Sequence, residues 1–175
     1  MSGSVGDNTA RASGVIKAAG GGKVLQVVQG TKTNTGSVSS ASFTTINGND
    51  KAITPKAAGS SFVVDWAVSM SNYQIIALFL DIDGAGYNQL TDFAADGAGS
   101  RPRCCSYSSN ANPGALNGTA LDTPTYSLGD VLTYQIRFVA HTSNTSYQNR
   151  GTSDGDNYYT GRSFSSITIT EIAAD

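Results

Sequence analysis

Ser166-Ile167-Thr168-Ile169-Thr170-Glu171-Ile172 alternates small polar residues with β-branched apolar ones. That is the period of a half-buried strand, with Ile167 and Ile169 on one face. Polar, glycine-rich turns precede it at 147–151, 154–157 and 161–163. Working back along the chain, the same reading recurs. Val131–Ala140 puts Leu132, Tyr134, Ile136, Phe138 and Ala140 on one face. In Ser61–Met70, Phe62, Val64, Trp66 and Val68 share a face. Val24–Gln29, Ser42–Ile46, Lys51–Thr54 and Arg103–Tyr107 read as further strands, with Asn47-Gly48-Asn49-Asp50 as a hairpin turn between two of them. A short strand is expected inside the polar loop 143–162, and 91–130 is otherwise irregular.

The segment Tyr73–Ile82 is apolar on both faces. A two-layer sandwich covers only one face of a strand. The other needs a neighbouring subunit or a long loop laid over it. A subunit contact would use Ile76, Leu78, Phe79, Leu80, Ile167 and Ile169. The pattern as a whole predicts an all-β sandwich of about eight to ten antiparallel strands, of the jelly-roll kind because strand lengths are uneven and several connections are long.

Composition agrees. The chain has 175 residues, the scale of one domain. Charged residues are 14%, against ~25% in an average soluble domain. Twenty glycines and many Ser, Thr and Asn take their place, favouring turns and strands over helices. The net charge of −2 and the absence of a basic stripe argue against nucleic acid as a partner. No apolar run approaches the ~20 residues of a membrane span. Residues 1–22 are polar, end in Gly20-Gly21-Gly22 and lack the apolar centre of a secretory signal. They read as a docking arm with Val15 and Ile16 as anchors and Arg11 and Lys17 as charges, ahead of a knob domain at 23–175.

Residues with catalytic potential are few. His141 is the lone histidine, and no Gly-x-Ser-x-Gly elbow accompanies it. Glu171 is the lone glutamate and lies within a strand. Asp81-Ile82-Asp83-Gly84 and Asp154-Gly155-Asp156-Asn157 resemble the start of a calcium loop but lack its remaining ligands, and Asp-Gly turns account for both. The neighbours Cys104 and Cys105 cannot join distant segments and are expected to be reduced. No enzyme activity, metal or cofactor is therefore expected. Tyr147, Tyr158 and Tyr159, set among Asn, Ser and Gly, offer recognition chemistry, with stacking on a sugar as one use.

A resemblance adds to this reading. Lys23-Val24-Leu25-Gln26-Val27-Val28-Gln29, then Ser100-Arg101, Leu121-Asp122-Thr123-Pro124, Asn149-Arg150, Asp156-Asn157, Gly161-Arg162-Ser163 and Ile167–Ile172 occur in this order. Together they resemble a family of small virion structural proteins of tailed bacteriophages, notably marine and cyanobacterial phages, over roughly residues 23–173. The resemblance implies a homotrimeric jelly-roll knob, similar in shape to tumour-necrosis-factor-type domains, on the virion. The expected role is capsid decoration or cementing, with the major capsid protein or another virion protein as partner. A tail-fibre tip that binds a receptor, and a free lectin for a cell-surface glycan, are the alternatives.

Overall fold

The computed structural model describes residues 23–97, 99–108, 113–140, 144–158 and 160–174. Arg11, Val15, Ile16 and Lys17 of the expected arm, together with His141 and Tyr159, lie outside the described residues. The described chain is all-β. Its strands are β1 (Val24–Lys32), β2 (Gly36–Val38), β3 (Thr44–Ile53), β4 (Ser61–Ser71), β5 (Gln74–Ile82), β6 (Asn88–Gln89), β7 (Ser106–Ser108), β8 (Gly114–Asp122), β9 (Leu132–Ala140), β10 (Ser146–Gln148) and β11 (Ser165–Ile172). Among the described residues the one helical element is a single 3-10 turn, Thr91–Phe93.

Two antiparallel sheets result. In the first, β1 pairs β11 and β11 pairs β4; β8 takes the other edge of β4, and the short β10 and β2 continue beside its end. In the second, β3 pairs β9 and β9 pairs β5, with β6 and β7 on the far edge of β5. The long-range pairs are nested: β1 with β11, β3 with β9, β4 with β8, β5 with β7.

The alternation in the sequence decides which side chains meet. Phe62, Val64, Trp66, Val68 and Met70 of β4 face Ile76, Leu78 and Leu80 of β5 and the even-numbered residues of β9 in one buried cluster. Burying each large side chain stabilises by about 1.5–3 kcal/mol. Ile76, Leu78, Leu80, Ile167 and Ile169 belong to this cluster and are 0–6% exposed within a single chain. Their expected place at a subunit contact is therefore corrected. Side chains already shut between the two sheets have no surface left for a neighbour. Phe79 points to the outer face instead, where the Phe43 ring meets it edge-on at 5.5 Å. The Arg137 guanidinium also stacks over it at 4.7 Å. Within the single chain, Phe43 and Arg137 thus cover Phe79 on the second apolar face of β5.

Two further expectations change. Asn47–Asp50 does not end a strand. β3 runs through it from Thr44 to Ile53 with a shift of register between Thr45 and Asp50. Gly48 at φ +88 supplies the left-handed step this bulge requires. The second change is β8, which lies inside the region expected to be irregular and pairs β4 over nine residues. Its small residues conceal it in sequence, and they have a packing reason. A Cβ on Gly118 would stand 2.2 Å from the Trp66 ring.

Candidate functional site

The registers give the sandwich two distinct ends. Val24 lies opposite Ile172, and Ala173 N–H donates to the Lys23 carbonyl at 2.9 Å. Both ends of the described chain thus leave at one end, the base. Lys32, Ser71, Gln74, Gly114, Ala140 and Ser165 mark the opposite, loop end.

The loop end is rooted in buried neutral polar groups. Asn49 and Gln148 exchange amide hydrogen bonds at 2.5 and 3.0 Å. The Gln148 amide also donates to Ser165 Oγ at 3.0 Å, and that hydroxyl donates to Asn149 Oδ1 at 2.6 Å. Asn149 Nδ2 donates to the carbonyls of Lys32 and Asn34 at 2.8 and 3.0 Å. Asn49, Gln148, Asn149 and Ser165 are all buried. A satisfied network of this kind fixes one geometry, since each unmade bond in the interior is costly. The bulge in β3 brings Asn49 into it, and Asn149 takes φ +59 to turn the chain out of β10.

On this root stands the surface of 150–164. The Arg150 guanidinium lies 3.8 Å over the Tyr147 ring. Half-buried Tyr147 thus offers one ring face to its own cation. Arg162 donates twice to the Asp154 carboxylate, at 3.1 and 2.9 Å. That pairing holds Asp154 below the usual carboxylate range and Arg162 above the usual guanidinium one. Thr160 hydroxyl bonds to the Gly155 and Asn157 carbonyls and closes the loop. Asp154, Gly155, Asp156, Asn157, Thr160 and Arg162 line an open polar hollow of about 340 Å³. Tyr158 beside it is 85% exposed, and Phe164 is 62% exposed. Tyr107 (71%) and Tyr73 (48%) stand at the same end.

Of the residues expected to recognise a ligand, Tyr147 and Tyr158 therefore share an end with the aromatic rim. Arg162 and Phe164 join them without having been singled out as a site, and so does Asp154, which the sequence offered only as the start of a calcium-type loop. The opposite charges eight residues apart across a Gly-rich loop were the available sign of the Asp154–Arg162 pair.

The base is organised by one carboxylate. Glu171 Oε1 accepts from Lys56 N–H (2.9 Å), Ala57 N–H (3.2 Å) and Ser60 Oγ (2.8 Å). Its Oε2 accepts from Gln26 Nε2 at 2.6 Å. Burial works against the charged form, but these donors outweigh it and hold the carboxyl below its usual range. Tyr126 hydroxyl completes the clamp on the loop after Pro55, accepting from Ser60 N–H and donating to the Ala57 carbonyl. Nearby, burial pushes Asp122 up despite the Tyr134 hydroxyl that donates to it at 2.8 Å.

The cysteines are both free. They meet different surroundings. Cys105 packs on the core and accepts from Leu78 N–H at 3.2 Å. Cys104 lines a small apolar hollow with Ile75, Pro102 and Tyr107. Burial pushes both thiols up, which favours the protonated form. Asp81 accepts from Gly86 N–H at 2.7 Å, so the first Asp-x-Asp-Gly run closes a turn. Among the described residues no three His, Cys, Asp or Glu side chains gather as a metal set.

No protein-family model matches the chain, and no curated protein matches it.

Proposed function

We propose that this chain is a jelly-roll knob of a bacteriophage particle, assembled as a homotrimer and acting by binding rather than catalysis. Its base faces the particle, where the major capsid protein or another virion protein holds it. Its loop end faces outward. The polarity of the chain carries this reading. Lys23 and Ala173 meet at the base, while Tyr158, Phe164, Tyr107 and Tyr73 stand at the other end. Strands of eight or nine residues at about 3.3 Å each hold the two ends some 25–30 Å apart.

The nested pairing supports the jelly roll. Numbering the long-range pairs in chain order gives first with last, then inward to the middle, which is what rolling up one long antiparallel ribbon produces. The resemblance to phage virion proteins supports the location. The loop end supports adhesion: rigid aromatic area beside Asp, Asn, Thr and Arg is suited to a sugar's apolar face and hydroxyls. The same feature favours the second reading, a free glycan-binding lectin.

One experiment separates these. An epitope tag is placed either after Asp175 or between Gly155 and Asp156, and purified particles are labelled with antibody. The loop tag labels the particle surface and the terminal tag stays hidden if the base is docked. Labelling on the head supports decoration, and labelling at the tail supports a fibre tip. No protein on particles, with glycan-array binding by the purified chain, leaves the lectin.

A further inference from the structure

We infer that the outer face of the first sheet is the contact between copies of this chain. Val27, Thr170, Val63 and Leu121 lie on four neighbouring strands and are lateral partners in one straight row. Val27 is 58% and Leu121 56% exposed. Beside them in sequence, Ile169, Phe62, Val64 and Ala120 are buried in the core and Val28 packs against it, so the pleat puts these four on the outside. The row beside it is Gln29, Thr168, Asp65 and Thr119. It is closed on itself, since Gln29 Nε2 donates to Thr168 Oγ1 at 2.8 Å and Thr119 Oγ1 to Asp65 at 2.5 Å.

The outer face of the second sheet differs. There Arg137 stacks over both Phe79 and Tyr87, at 4.7 and 4.6 Å, and the chain covers its own apolar groups. Among the described residues no side chain covers the apolar row of the first sheet in this way, and Val27 and Leu121 stay more than half exposed.

The occupant is a second copy for two reasons. Asp65 is the one ionised group in these rows, and it is already bonded. A charged polymer or surface finds nothing to grip, whereas depletion of charge marks the centre of protein–protein contacts. The size also fits. Four strands about 4.8 Å apart and about eight residues long span roughly 500 Å² in projection. That is the scale of the ~800 Å² of accessible surface each partner gives a standard interface. A twofold, face-on-face pair would bring two central Asp65 carboxylates together. A ring, in which each face meets a different surface of the next copy, does not.

This inference rests on the self-associating knob proposed above, and the test keeps the two apart. Sedimentation equilibrium of the full chain is run for wild type, Val63→Arg, Leu121→Arg and, on the outer face of the second sheet, Thr133→Arg. Wild type and Thr133→Arg should sediment at three times the 18.0 kDa chain mass. Both first-sheet variants should associate at least about a hundredfold more weakly, because a cation without a partner is then buried in the contact. A monomeric wild type overturns the association and this inference together. Association that survives both first-sheet variants, or that only Thr133→Arg breaks, overturns the face and leaves the association. Circular dichroism checks the fold. If Val63→Arg loses its β spectrum, Leu121→Arg decides, since that side chain is already more than half exposed in one chain.

Discussion

The two ends of the sandwich are tied by opposite chemistry. At the base, one ionised carboxylate gathers Gln26, Lys56, Ala57 and Ser60. At the loop end, neutral amides and a hydroxyl, Asn49, Gln148, Asn149 and Ser165, satisfy one another. A single charge makes several strong bonds from one side chain and depends on pH. A neutral network spreads the same task over four residues and does not titrate, but it fails as a unit when one member is removed. The end that carries the exposed aromatic rim is thus held by the tie that requires the most residues to agree.

The largest effect is expected from breaking the neutral tie. Asn149→Ala removes three hydrogen bonds, two of them buried, leaving Ser165 and two carbonyls without that partner. It also puts alanine at φ +59. The two costs together come to about 3–4 kcal/mol. Urea unfolding monitored by circular dichroism should read this as a lower midpoint at unchanged slope. Asn149→Gly should recover about 1 kcal/mol of it, because glycine accepts the backbone conformation but makes no amide bonds. Equal loss in both variants would mean that backbone conformation contributes nothing here.

Glu171→Gln should cost about 2–3 kcal/mol, since the new amide cannot accept at both positions that face Lys56, Ala57, Ser60 and Gln26. Surface behaviour at this site would give a loss near zero.

The charged tie also sets a pH dependence. The folded-state value of Glu171 lies below its ordinary 4.5. Its contribution is therefore complete above about pH 4.5 and is lost as pH falls through the lowered folded value. Asp122, whose folded value is raised above the ordinary 3.8, works in the other direction and favours the fold on acidification. The wild-type midpoint carries both. The difference between wild type and Glu171→Gln isolates the first, and should shrink steadily from pH 5 towards pH 3. A difference constant with pH would show that the clamp does not depend on ionisation.

This contrast also explains what could be read in the sequence. Strands whose apolar face meets the core announced themselves: β4, β9 and β11 fall where Phe62–Met70, Leu132–Ala140 and Ile167–Ile169 alternate, and β5 where Ile76–Leu80 is apolar throughout. The two-sided apolar pattern of 73–82 was legible too, but not what covers it, because Phe43, Tyr87 and Arg137 come from other segments. β8 was hidden because Gly118 leaves room for Trp66, a pairing visible only across strands. Asn47–Asp50 carries every mark of a hairpin turn, yet the buried network draws Asn49 inward and makes it a bulge. The polar root of the loop end was illegible for the same reason. Asn49, Gln148, Asn149 and Ser165 look like loop residues until the fold brings them together.

The smallest effect on stability should come from the exposed pair above that root. Arg162 and Asp154 bond to each other in solvent, and an exposed pair adds little to the fold. Arg162→Ala should leave the unfolding midpoint unchanged within error. Its consequence should be local. Without Arg162, the hollow lined by Asp154, Asp156 and Asn157 loses the one cation among its described lining residues and the bonds that hold Asp154. Amide hydrogen exchange in 154–161 should therefore speed up while exchange in β4 and β11 stays as in wild type. If the loop end is the adhesive surface, glycan-array binding should fall in Arg162→Ala and persist in Glu171→Gln at neutral pH, reversing the order of the stability effects. Binding lost in Glu171→Gln but kept in Arg162→Ala would place recognition at the base and invert the proposed polarity of the knob.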